Sequence, residues 1–258
     1  MTYSAAIDTS IPCLLLAAGR GERMRPLTDF LPKPLLEVQG KSLLNWHLET
    51  LQSAGIKLVV INLAWLGEKI SAALGTGAAF GLKIDYSPEH EALETAGGIC
   101  QALPILAPED YFIVMNGDVF CPNFPLAHLL TVLRKMRLAT EKKLAHLILV
   151  PNPRQHPGGD FYLQNGVVWA DEGLKINIPP VLQQQPHLLA NAERLTFSGI
   201  GIYHRDLFNG LLRGEKAKLA PLLVAAMAKN QVTGEKYLGS WHDVGSPDRL
   251  NELNQGPK

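Results

Sequence analysis

The chain has 258 residues, 47% hydrophobic and 19% charged, and its 24 basic and 24 acidic side chains cancel. That composition excludes a disordered chain and is ample for a substantial α/β core. Zero net charge implies no broad basic face and argues against a nucleic-acid partner, so any phosphate chemistry has to rest on local positive charge.

Residues 1–10 read as a loose leader. The apolar run 11–18 follows Asp8 and precedes Arg20, and it is too short to span a membrane. Ile11–Leu16 is therefore expected as a buried strand, in a protein of the cytoplasm with no membrane partner. Three scattered cysteines, Cys13, Cys100 and Cys121, form no Cys-x-x-Cys pair; they fit a reducing compartment and buried, unpaired thiols.

After a Gly- and Arg-rich loop to about Pro34, Leu43, Leu44, His47, Leu48 and Leu51 predict a helix over Ser42–Ala54, stopped by Gly55. Strands are expected at Lys57–Asn62, Leu82–Tyr86 and Tyr111–Met115. Helices are expected at Leu66–Leu74 and from Thr95 to Leu103, closed by Pro104. Further on come a strand at Leu144–Val150 and a short hairpin about Asn165-Gly166. Residues 171–194 read as an irregular excursion. A strand at Leu195–Tyr203, helices at 205–212 and 220–229, and an extended stretch 235–244 follow. A last helix is capped by Ser246 with Pro247 in its first turn.

The alternation predicts an α/β fold: a Rossmann-like, mainly parallel central sheet with helices on both faces. We expect one domain over 1–258, with halves at about 11–120 and 121–258. Ligands of such sheets bind beyond the carboxyl ends of the strands, where the Gly/Arg loop and the Asn116-Gly117-Asp118 turn both lie.

In the loop, Gly19 and Gly21 let backbone approach an anion, while Arg20, Arg23, Arg25 and Lys33 supply cations. Pro32 and Pro34 stiffen the chain about Lys33. No Gly-x-x-x-x-Gly-Lys-Ser/Thr string occurs, and Met24 stands where a dinucleotide-binding loop needs glycine. A solvated basic loop is the plainer alternative, and for Glu89 and Glu91 solvated loop charge is as good a reading as a base-binding role.

The strings Leu16-Ala17-Ala18-Gly19-Arg20-Gly21-Glu22-Arg23-Met24-Arg25-Pro26-Leu27-Thr28 and Pro32-Lys33-Pro34-Leu35 resemble the signature of the sugar-1-phosphate nucleotidylyltransferases. The resemblance extends through Gly117-Asp118 and Trp241-His242-Asp243-Val244-Gly245, and implies the glycosyltransferase-A-like nucleotidyltransferase fold. It implies that Ala17, Ala18, Gly19, Arg20, Arg25 and Lys33 hold the triphosphate, with Arg20, Lys33 and Asp118 catalytic. Arg23 is expected in a structural ion pair if not on phosphate. Asp118 and Asp243 are implied as ligands of Mg²⁺, which favours hard oxygens. Glu89 and Gly97 are implied at the base, and Asn116, Asp160 and Gly199 at the sugar, so that about 11–120 is implied as the nucleotide-binding half and about 121–258 as the sugar-binding half.

Strings such as Asn62-Leu63-Ala64-Trp65-Leu66-Gly67 and Leu195-Thr196-Phe197-Ser198-Gly199 resemble members that join UTP to the 1-phosphate of N-acetylmuramate. Arg154 and His156 are the candidates for its lactyl carboxylate. GTP with mannose-1-phosphate remains the alternative, and a non-catalytic module sensing nucleotide sugars is the alternative of another class.

Overall fold

The structure is a computed structural model that describes residues 11–106, 110–172, 175–176 and 191–256. The leader and most of the 171–194 excursion lie outside the described residues. The first strand, β1 (Cys13–Leu16), leads through the Gly/Arg loop to a small hairpin of β2 (Glu37–Val38) and β3 (Lys41–Ser42). Helix α1 (Leu43–Ser53) follows, its Ser42 hydroxyl accepting from the Asn45 amide. Then come β4 (Leu58–Leu63), α2 (Gly67–Leu74), β5 (Lys83–Pro88), α3 (Glu94–Leu106) and β6 (Tyr111–Asn116).

The remainder comprises β7 (Val119–Phe120), α4 (Leu126–Leu138), β8 (Ala145–Val150), the hairpin β9 (Phe161–Gln164) and β10 (Val167–Trp169), and a two-residue pair, β11 (Asp171–Glu172) and β12 (Lys175–Ile176). The long β13 (Glu193–His204), α5 (Leu219–Met227), β14 (Val232–Lys236), β15 (His242–Asp243) and α6 (Pro247–Gln255) complete it.

Nine strands form one sheet in the order β5-β4-β1-β6-β13-β8-β14-β10-β9. Its first four strands are parallel; β13 then runs antiparallel to both β6 and β8, so the sheet is mixed beyond β6. The parallel strands are apolar on both sides because both sides are covered. Cys13 and Leu15 of β1 face a core shared with α1, α2 and α4, whereas Leu14 faces a second core with α3 and α5.

Two expectations need correction, and one helix is additional. Pro104 does not close α3, which continues to Leu106; that leucine is fully buried, so its packing holds the last turn past the proline. Residues 205–212 hold only a four-residue 3-10 turn, Arg205–Phe208. Helix α4 was not foreseen, although Leu126, Leu129, Leu130, Leu133 and Met136 recur at helical spacing and are all buried. The Asn165-Gly166 turn is as expected, with φ of 49° and 79°.

Candidate active site

The chain leaves β1 toward β4 and β5 on one side and returns to β6 on the other, so the strand order reverses at β1. A crevice opens at such a reversal, beyond the carboxyl ends of the strands. Register places Leu16 level with Asn62 of β4 and Asn116 of β6. A cleft of about 480 Å³ lies there, lined among others by Ala17, Ala18, Gly19, Arg23, Lys33, Asn62, Glu89, Thr95, Asn116 and Asp118. A cavity of about 270 Å³ adjoins it; Arg23, Asn116 and Asp118 line both.

The Gly/Arg loop is closed on itself by its own charges. Arg20 donates to Asp29 at 2.8 Å and to the Thr28 carbonyl at 2.8 Å, and stacks 3.9 Å from the centre of the Trp65 ring. Arg25 donates to the same Asp29 oxygen at 2.8 Å. These bonds, that from Arg20 above all, hold the Asp29 carboxyl below its usual range. Gly21, at φ 67°, permits the tight turn; a Cβ there would stand 3.1 Å from Thr28 and 3.2 Å from Lys33.

Arg20 and Arg25 thus belong to the loop's framework, and neither lines the cleft or the cavity. Arg23 is the arginine that lines both, exposed and with no ion pair among the described residues. Sequence reasoning ranked these arginines in the reverse order. The only signal available was the phase of the turn after Gly21, which spacing alone does not resolve.

Lys33 is 8% exposed, and its ammonium donates to Asp118 Oδ2 at 2.5 Å. Asp118 and Asp243 are remote in sequence but come together through two short strands. Asp243 pairs with Val119 across β15 and β7, and the Val244 amide donates to the Asp118 carbonyl at 3.1 Å. Both side chains line the adjoining cavity. Arg249 of α6 donates to Asp243 Oδ2 at 2.6 Å, so each carboxylate is capped by its own cation. Arg249 was not anticipated.

Two half-exposed carboxylates suit Mg²⁺, which commonly takes one or two carboxylates and completes its shell with water and substrate phosphate. Among the described residues no group of three or more His, Cys, Asp or Glu could hold a metal, so a cation held here would have only this pair as carboxylate donors from the described chain.

His47 of α1 lies buried under the turn, near Asp118 and the backbone of Asn116 and Val119, and its Nε2 has no hydrogen-bond partner among the described residues. Burial drives its pKa down to about 4, so the ring is neutral at physiological pH. Its helical spacing had marked it only as a core position.

Glu89 is 9% exposed on the cleft wall, where burial raises its pKa. It accepts from the Asn62 side chain at 2.7 Å and from the Leu93 amide at 2.9 Å; Asn62 in turn accepts from the Ala17 amide at 2.6 Å. The ends of β4 and β5 are thereby tied to the start of the Gly/Arg loop. Glu91 instead pairs with Lys216 at the surface. Gly97 does not line the cleft: its amide donates to the Ala217 carbonyl, and a Cβ would collide with the Glu215 carbonyl. It allows α3 to pack on the 215–217 segment.

Gly199, at φ 80°, faces Asn116; a Cβ there would stand 2.6 Å from Asn116 Nδ2. Asp160 is not on the cavity wall. It accepts from the Phe197 amide at 2.8 Å and from His156 Nε2 at 3.0 Å, and both of those residues are on the wall.

The model of the nucleotidyl transferase family matches residues 13–257. The chain belongs to that family. It is 47% identical over 245 residues to N-acetylmuramate alpha-1-phosphate uridylyltransferase of Neisseria meningitidis, covering 93% of this chain and 95% of that one. A mannose-1-phosphate guanyltransferase of Gibberella zeae is 40% identical over 91% of this chain and 60% of its own. Among solved structures, a Bacillus anthracis protein described as a glucose-1-phosphate thymidylyltransferase superposes with a TM-score of 0.76 at 17% identity, over 95% of this chain and 94% of that one. This chain is therefore a nucleotidyltransferase with the fold of that family. Among the described residues no helix is long and apolar enough to cross a membrane.

Proposed function

We propose that this chain transfers UMP from UTP to N-acetylmuramate α-1-phosphate in the cytoplasm, releasing pyrophosphate. The observation that carries the reading is the 47% identity to the Neisseria meningitidis uridylyltransferase across nearly the full length of both chains. We read the chain as one working domain, with the nucleotide held by residues 11–120 and the sugar by 121–258; a single sheet running through both halves supports this.

In this reading the amides of Ala17–Gly19 and the cations Arg23 and Lys33 hold the triphosphate. Arg20 and Arg25 act indirectly, by keeping the loop closed on Asp29. Glu89 and the backbone near Ala92–Thr95 face the uracil, and Asn116 faces the sugar phosphate. Asp118 and Asp243 would hold Mg²⁺, which supplies charge neutralisation at the reacting phosphates.

A phosphate oxygen of the sugar attacks the α-phosphorus of UTP in line, and the bond to the pyrophosphate oxygen breaks. The nucleophile is already ionised near neutral pH, so no side chain has to remove a proton. Rate enhancement then comes from alignment and from fixed positive charge. Lys33 moves from Asp118 to the triphosphate, where it offsets charge on the departing pyrophosphate.

The test is pyrophosphate release by the purified chain, crossing UTP, GTP, ATP and dTTP with the 1-phosphates of N-acetylmuramate, N-acetylglucosamine and mannose. UTP with the muramate should give the highest kcat/KM. A preference for GTP with mannose-1-phosphate would sink the proposal.

A further inference from the structure

We infer that His156, held by Asp160, is the residue that selects an acidic sugar by binding its carboxylate. This inference rests on the proposed activity toward N-acetylmuramate α-1-phosphate, a sugar that carries a lactyl carboxylate in addition to its phosphate. Such a substrate brings a negative charge into a cavity that already contains Asp118 and Asp243. An anion there needs a cationic partner on the same wall to offset those aspartates.

The described wall offers two positively chargeable side chains, Arg23 and His156. Arg23 also lines the phosphate cleft and has its task there. Arg154, the other candidate from the sequence, is exposed and does not line the cavity. His156 remains.

Its setting is built rather than incidental. The 153–160 turn is closed by the His156 amide donating to the Pro153 carbonyl at 2.9 Å and the Gly159 amide donating to the His156 carbonyl at 3.3 Å. The Asp160 carboxylate is fixed by the Phe197 amide of β13, and its second oxygen lies 3.0 Å from His156 Nε2. Ionised aspartate only accepts, so Nε2 carries the proton, and Nδ1 is the ring nitrogen without a partner among the described residues. In the imidazolium Nδ1–H becomes a second donor, which a sugar carboxylate would accept. Asp160 on one side and the substrate carboxylate on the other would each accept one of the ring's two N–H groups. Asp160 is thus a positioning residue rather than a sugar ligand.

The experiment compares N-acetylmuramate α-1-phosphate with N-acetylglucosamine α-1-phosphate, which lacks only the lactyl ether. The quantity read is the ratio of their kcat/KM values with UTP. Replacing His156 with Gln should lower that ratio about 10–100-fold, the worth of one hydrogen bond to a charged group, chiefly through the KM of the acidic sugar. His156→Ala, checked by thermal melting, gives the same ratio from an independent replacement. A ratio that stays at the wild-type value in both variants overturns the inference alone. A wild-type enzyme that uses only the neutral sugar overturns the proposed activity together with it.

Discussion

Among the loop cations, position and pairing separate those that can meet substrate from those that brace the loop. Arg23 lines both spaces, whereas Arg20 and Arg25 are spent on Asp29. Arg23→Ala should therefore lower kcat about 10²–10³-fold with little change in melting temperature, as expected for loss of a charge contact made at the transition state. Arg20→Ala should instead lower the melting temperature, because it removes the Asp29 bond, the Thr28 bond and the Trp65 stack together. Steady-state kinetics beside thermal melts of both variants check this, and the opposite pairing of effects would refute it. Asp118→Asn should nearly abolish turnover, and Lys33→Met should tighten Mn²⁺ binding without nucleotide by freeing Asp118 of its ammonium. Electron paramagnetic resonance of free Mn²⁺ reads the latter directly; unchanged or weaker binding would contradict it.

Residue type and order were enough to bring Lys33, Asp118 and Asp243 forward as candidates, since short motifs beside strand ends carry that signal. They placed Arg20 and Arg25 ahead of Arg23, because turn phase decides which of three arginines spaced two and three residues apart lines the cleft. They could not find Arg249 or the buried His47, whose importance comes only from what lies across from them.

At the scale of elements, the strand ends converge because β1, β4 and β6 stop in register, and that much was legible from apolar runs ending in polar residues. The antiparallel course of β13 was not, because an isolated apolar run does not state its direction. Yet β13 shapes the sugar side of the site. Its pairing with β8 shifts register between Phe197 and Gly201, and Gly199 sits within that irregularity at φ 80°. A side chain there would meet both left-handed backbone and the Asn116 amide. Gly199→Ala should destabilise the protein by about 1–3 kcal/mol and raise the KM for the sugar phosphate more than that for UTP. Urea unfolding and kinetics with each substrate varied in turn would show it; an equal rise in both KM values would argue against Asn116 as the sugar-side group.

For the molecule as a whole, two buried histidines make stability depend on pH. Burial drives both His47 and His146 from 6.5 down to about 4. His146, in β8, bonds Thr233 Oγ1 of β14 at 2.9 Å; its Nε2 is buried without a partner among the described residues, and Glu235, 4.0 Å away, only partly offsets the cost of charging it. Between pH 6.5 and 4 the unfolded chain binds protons that the native protein refuses, so stability is complete above pH 6.5 and falls as pH approaches 4. A shift of this size corresponds to about 2–3 kcal/mol per histidine by pH 4.5. His146 is the better probe, because His47 lies against the turn that carries Asp118. In His146→Gln the loss of unfolding free energy between pH 7.5 and 4.5 should shrink by about 2–3 kcal/mol relative to the parent, even if the variant starts less stable at pH 7.5 for want of imidazole packing. Urea titrations at the two pH values measure it. If the parent and the variant lost the same amount, the native protein would have to accommodate an imidazolium between β8 and β14, and the neutral packing described there could not be its state in acid.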